Sequence, residues 1–346
     1  METRNKRILF GCLGGCGAIV VIFLGSCVGF TVWLNSPSEV LDPETLIGPE
    51  TTGYVEWILR LEDPGTAEFT EALLRSFTAI TQKSNSPLPD GLENIINAQQ
   101  IKGVRKDMER LFPVVVAWTS QPGETQDADH HVFSLSARGA GHQLTMLDWI
   151  FGFLLGKGDN DVEIVRHRDE KIYLINTSDD VTPAAFIKKG IVFISTDIES
   201  ARQTLDRLQV PPAESGAGVD LGVLYGALPK DHALRGALTN RRGEVQRMLD
   251  QLGLSTDTAT EETWGEIEGL TVVANFRDED VFAGAMEVHG PDTAWAETHA
   301  ESLGTALASL FDQWDIEFET EVGHAGRRIR VDFTAADLLD SVENIN

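Results

Sequence analysis

Hydrophobic positions in this chain recur with two different periods, and the switches between them predict its elements. Gly53-Tyr-Val-Glu-Trp-Ile58 alternates as a strand does. From Thr66 onward Phe69, Leu73, Leu74, Phe77 and Ile80 recur at helical spacing, and the Pro- and Ser-rich string from Ser84 to Gly91 stops that run. Pro113-Val-Val-Val-Ala-Trp118 is a strand by its β-branched content, and His131 to Ala137 is its antiparallel return. Lys189-Gly190, set between Phe186-Ile187 and Ile191-Val192-Phe193, predicts a tight hairpin. Near the end of the chain, Ile316, Phe318 and Thr320 alternate with glutamates, and Ile329, Val331 and Phe333 alternate with Arg328, Arg330 and Asp332. With Gly323 to Gly326 as a four-residue loop, Glu321 is expected opposite Arg328 and Glu319 opposite Arg330, on the solvent side of a half-buried hairpin.

Several strings echo one another at nearly constant distance. Val115-Val-Ala-Trp118 returns as Val272-Val-Ala-Asn275, the strand closing at Gly139 returns as the one closing at Gly290, and Asp161-Val-Glu-Ile164 returns as Asp315-Ile-Glu-Phe318, at offsets of 157, 151 and 154 residues. Such spacing suggests two copies of one unit. The fold class expected is therefore α+β: a single N-terminal transmembrane helix, then two repeated halves of antiparallel hairpins packed with helices. The boundaries expected are a cytoplasmic tip and anchor over residues 1–34, a linker over 35–52, a first half over 53–209 and a second over 219–346. Val210 to Val219, rich in Pro, Gly and Ala, is the join.

Ile8 to Leu34 is apolar or Gly-rich over 27 positions, long enough to span a bilayer. Arg4, Lys6 and Arg7 precede it and no Lys or Arg follows before Arg60, which places the N-terminus in the cytoplasm and the bulk of the chain outside the cell membrane. The alternatives are a cleaved signal peptide, against which the run continues through Val28 to Leu34, and lipidation at Cys27 within Leu24-Gly25-Ser26-Cys27. Cys12, Cys16 and Cys27 all fall in this stretch, so the remainder has no disulfide, thiol nucleophile or Cys-ligated metal. A net charge of −26 over 346 residues excludes a nucleic-acid binder that works by neutralising phosphates. Hydrophobic residues at 42% and charged residues at 24% mark a folded chain and not a disordered one.

No familiar catalytic string is present: no G-x-S-x-G, H-E-x-x-H, P-loop or G-x-G-x-x-G. Carboxylates and imidazoles crowd together in Asp127-Ala-Asp129-His130-His131, which could ligate a divalent metal for hydrolysis and supplies the enzyme alternative. No cofactor is otherwise implied. The helix expected from Leu144 to Leu155 is apolar nearly all round, with Thr145, Asp148 and Gly152 as its only polar or small stripe, and it is too short to cross a bilayer. Such a helix either packs between the halves, covered on both faces, or, with Leu144, Leu147, Trp149, Ile150, Phe151, Phe153 and Leu154 and a groove between the halves, forms a surface for a lipid ligand or an envelope protein.

Leu41-Asp-Pro-Glu-Thr45, followed by Gly48-Pro-Glu-Thr-Thr-Gly-Tyr-Val55, resembles the opening of a group of uncharacterised bacterial membrane-anchored extracytoplasmic proteins with duplicated α+β halves. The resemblance implies a bacterial envelope protein and nothing about its chemistry; from the residues, the partners expected are the bilayer, through residues 8–34, and an envelope protein or lipid ligand, with no nucleic acid. The resemblance carries over no site residue. The function expected is non-enzymatic binding or interaction at the envelope.

Overall fold

A computed structural model describes residues 43–60, 62–63, 66, 112–122, 129–137, 141–154, 162–175, 182–209, 221–251, 264–277, 281–312 and 317–336. The expected anchor over 8–34 and the helix expected from Thr66 to Ile80 lie outside this set, apart from Thr66 itself. No helix among the described residues is long and apolar enough to cross a membrane.

The strands are β1 (Gly53–Leu59), β2 (Val114–Pro122), β3 (Asp129–Ala137), β4 (Val162–His167), β5 (Glu170–Ile175), β6 (Ala184–Lys188), β7 (Ile191–Ser195), β8 (Leu234–Thr239), β9 (Gly269–Phe276), β10 (Phe282–His289), β11 (Glu317–Ala325) and β12 (Arg328–Ala336). The described helices are α1 (Gly141–Leu154), α2 (Ile198–Arg207), α3 (Leu221–Gly226), α4 (Glu244–Gln251) and α5 (Thr293–Asp312). All twelve strands join one sheet in the order β11-β12-β10-β9-β8-β1-β2-β3-β7-β6-β5-β4, and the pairing is antiparallel throughout.

This corrects the α+β expectation of two halves with sheets of their own. The fold is dominated by a single continuous antiparallel sheet, because β1 and β8 pair directly across what sequence reads as two units, Val55 opposite Gly236 and Glu56 opposite Arg235. The echoed strings hold matching places in it. Val115 to Trp118 and Val272 to Asn275 lie on β2 and β9, each one strand out from the central pair, while β4 and β11 are the two edges.

Residues opposite one another in the ladders share a face, so the registers assign every strand position to a front or a back. The back carries Tyr54, Ala117, Val132, Ile172, Phe186 and Phe193, packed under α2, α3 and the 3-10 turn Pro43–Leu46. The front carries Leu238, Leu270, Val288, Ile329 and Val331, packed under Val245 of α4, Trp264, and Trp295, Ala296 and Leu303 of α5. Helices α2 and α3 thus cover the back at one end and α4 and α5 the front at the other, while α1 lies on the front of β5, β6 and β7, where Lys171 and Tyr173 bond to Asp148. Also on the front, Val116, Phe133, Leu135 and Ile194 stand together on neighbouring strands, Phe133 at 49% exposure. Residues 67–111, which join β1 to β2 beside them, are outside the described set.

Residues 43–52, read from composition as linker, are packed. Leu46 is buried, and the Thr52 amide and carbonyl bond to Ser120 and Thr239, so the chain enters the sheet already tied to β2 and β8. Burial draws the Arg207 guanidinium below its ordinary pKa, opposed by Glu50. It donates to Gln121 Oε1 at 2.6 Å and to Thr51 Oγ1 at 3.2 Å, clamping this entry to the back of β2.

The Lys189-Gly190 hairpin forms as expected, both residues at positive φ (51° and 79°), the geometry of a type I′ turn. The β11–β12 hairpin does not. Its turn is the two residues Gly326-Arg327, Gly326 at φ 59°, and the register puts Glu321 opposite Asp332 and Gly323 opposite Arg330. The ladder is displaced by four residues, so each side chain keeps its face while the expected Glu319–Arg330 and Glu321–Arg328 pairs are not made. A tight turn with a glycine at positive φ matches the twist of the strands better than the longer loop.

At the centre of the sheet the Glu56 and Arg235 side chains, on residues 1% and 5% exposed, form a buried ion pair with Arg235 Nε 2.8 Å from Glu56 Oε1. Tyr54 donates to Glu56 Oε2 at 3.0 Å, and the guanidinium lies 4.9 Å from the Tyr225 ring centre. Removing one partner leaves the other charge buried. Arg235→Ala is expected to cost about 3–5 kcal/mol and Glu56→Gln with Arg235→Met much less than the single change; urea denaturation of the three chains, read at the tryptophans, checks this.

Candidate functional site

The sequence-predicted surfaces come first. Asp127 lies outside the described residues, as does the side chain of Asp129. His130 and His131 are successive residues of a strand and so point to opposite faces. His130 Nδ1 is 2.7 Å from Asp197 Oδ2, whereas the His131 ring stacks on Trp118 at 5.5 Å between centres. The structure therefore separates the two imidazoles. Among the described residues no group of three His, Cys, Asp or Glu side chains is arranged to hold a metal ion.

The carboxylate beside His130 is one that sequence reasoning missed. Asp197 caps α2: its Oδ1 accepts from the Ser200 amide at 2.9 Å and its Oδ2 from the Ser200 hydroxyl at 2.5 Å. The signal was present in Thr196-Asp197 standing before an amphipathic helix. Burial pushes this carboxyl up, but the bonds from the Ser200 hydroxyl and amide and from His130 outweigh it and hold the pKa below its ordinary value of 3.8.

Helix α1 forms as expected. Leu144 is half-buried, while the side chains of Leu147, Trp149, Ile150, Phe151, Phe153 and Leu154 lie outside the described residues. Its polar stripe is used: Asp148 accepts from the Tyr173 hydroxyl at 2.7 Å and from Lys171 Nζ at 3.1 Å, fixing α1 to β5. Burial, then the bond to Asp148, raises the Tyr173 pKa.

A concavity lies elsewhere, on the back of the sheet beyond α3. There α5 covers only the front of β10 and β12, and no described helix covers the back. The result is a groove of about 710 Å³, within the range of about 300–1,000 Å³ usual for small-ligand sites. Its apolar side is Val223, Leu224, Ala227, Leu228 and Pro229 from α3 and its exit, facing Val273 and Ala285 of the strands. Its polar side gathers Arg327, Arg328 and Arg330 with Glu287, His232 and His289. Val223 is 69% exposed at the mouth.

The arginines are placed by the register of β11–β12. Arg328 and Arg330 sit opposite His289 and Glu287 on the back of β10, their guanidinium NH1 atoms 3.2 and 3.5 Å from the two Glu287 oxygens. Arg330 also grips Asp332 through Nε and NH2, at 2.8 to 3.1 Å, and Arg327 pairs with Glu268 at 2.7 Å. His289 Nε2 is buried in the wall without a hydrogen-bond partner. Burial lowers the His289 pKa, and although Glu287 and Glu268 oppose this while Arg328 and Arg327 add to it, the net direction is down, so the ring is neutral at pH 7. A strip of guanidinium groups beside an apolar wall, in a chain of net charge −26, suits an anion with an apolar body.

The Asp197 cap has a pH signature. Its folded pKa is depressed, so its contribution is complete above the unfolded value near 3.8 and is lost as pH falls through the folded value below it. Asp197→Ala is expected to remove about 1–2 kcal/mol at pH 7 and to flatten the decline in stability below about pH 4, measured by thermal unfolding from pH 3 to 7. Comparison of the chain with protein-family models, with curated proteins and with solved structures finds no match to any of them.

Proposed function

We propose that this is a non-enzymatic binding protein of the bacterial envelope, held at the membrane by residues 8–34, whose ligand site is the groove between α3 and the back of β9, β10 and β12. The observation that carries the reading is the groove itself: an apolar wall and an arginine-bearing wall enclosing about 710 Å³ on a face that no described helix covers. A sheet of twelve paired strands is a rigid support, so a site built on it is preformed and needs no folding on binding. The charge asymmetry around residues 8–34 supports the location.

Ala227 is exposed at the end of α3 and lines the groove, so Ala227→Trp fills the space at little cost to the fold. Native mass spectrometry of the full chain, released from its own membrane, is expected to show an added non-protein mass that Ala227→Trp abolishes while circular dichroism stays unchanged. A bare chain in both samples, or an added mass equal in both, overturns the proposal.

A further inference from the structure

We infer that the groove selects an amphipathic anion, a single alkyl chain bearing a phosphate or carboxylate head, and that Glu287 occupies the place of that head when the groove is empty. The inference rests on the groove being the ligand site and adds the chemistry of what fills it.

The ion pairs are unequal. Arg327–Glu268 at 2.7 Å and Arg330 NH2–Asp332 at 2.8 Å have the lengths of strong charge-assisted bonds. The bonds to Glu287 are longer: at 3.2 Å from Arg328 and 3.5 Å from Arg330, one carboxylate is shared between two guanidinium groups. Arg328 has no other side-chain partner among the described residues, and its side chain is 54% exposed. Its fork of donors therefore stays available to a planar or tetrahedral oxyanion, which can be held through two oxygens at once. Glu287, one strand across, can turn toward solvent when that oxyanion arrives.

A bare anion would gain nothing from the rest of the groove. Val223, Leu224, Val273 and Ala285 lie within the same concavity, and each methylene placed against them is withdrawn from water. The head-to-tail direction follows: head at β12, tail along α3. His289, neutral and with Nε2 unpartnered in the wall between them, adds a hydrogen-bonding group next to the head position. An alkyl cation cannot take the place of Glu287 between Arg328 and Arg330, and a neutral lipid leaves Glu287 in place.

The test uses the full chain in lipid nanodiscs and a dodecyl phosphate carrying a diazirine at its tail end, with cross-links mapped by peptide mass spectrometry. Cross-links are expected on the peptides holding Val223 to Pro229 and Thr271 to Ala285, with unlabelled dodecyl phosphate competing and inorganic phosphate or dodecanol competing at least tenfold less well. Arg328→Ala with Arg330→Ala is expected to reduce groove labelling about tenfold, and Glu287→Gln to increase apparent affinity several-fold by removing the competing charge. Both arginines are half exposed and the Glu287 change is isosteric, so folding is retained. Equal competition by inorganic phosphate overturns the amphipathic requirement. Equal competition by dodecanol, or labelling indifferent to the arginines, overturns the anionic head while leaving the groove as the ligand site. Weaker binding by Glu287→Gln overturns the displacement of Glu287. Labelling only outside the groove, unchanged by Ala227→Trp, overturns this inference and the proposed function together.

Discussion

The sheet is one object because a carboxylate and a guanidinium meet where its two sides join. Glu56 on β1 and Arg235 on β8 are direct cross-strand partners, nearly free of solvent, with Tyr54 completing the carboxylate and Tyr225 lying against the guanidinium. Neither charge is tolerable there alone. A pairing of β1 with any other strand, or a slip by one residue, would bury one of them unanswered, so the ion pair fixes both which strands meet and in what register. The strands on either side follow from that choice: β2 and β9 are the next strands out, with α2 packed on the back beyond one and α4 and α5 on the front beyond the other.

That arrangement also explains why a groove exists. At the β9–β10–β12 end α4 and α5 lie in front, and among the described helices the back is bordered only by α3, which packs on β8 and β1. The wall of the groove and its floor thus come from segments separated by about 40 to about 110 residues, and the concavity is a by-product of how these elements abut.

Strands and turns with strong local chemistry were legible in the sequence: Gly53 to Ile58, Val114 to Trp118 and the Lys189-Gly190 turn all stand where periodicity and turn preference put them. The single sheet was not, because nothing in the alternation of β1 or β8 says which strand is its neighbour. The signal that existed was a glutamate at a core position of one strand and an arginine at a core position of another, each odd alone and explained by the other. The groove was missed for a related reason. A four-residue loop at Gly323 to Gly326 gives Arg328 and Arg330 attractive partners within their own hairpin, and reading it so spends both arginines locally. The tighter turn at Gly326-Arg327 moves the ladder by four residues and hands them to Glu287 of β10. The two histidines of the Asp-His-His string are held apart on the simplest ground, since neighbours in a strand look in opposite directions.

The clamp of Arg207 on Gln121 and Thr51 has a mechanical consequence. It seats residues 43–52 firmly against the back of the sheet, the same face that carries the groove. Between that fixed point and the end of the apolar stretch at Leu34 there remain only eight residues, which even fully extended reach about 28 Å. With the stretch embedded in a bilayer, as proposed, the groove is leashed by its own side of the sheet within a molecule's width of the lipid surface. In that reading the arm is short, and a longer one would let the groove stand off from the lipid without altering a single contact in it.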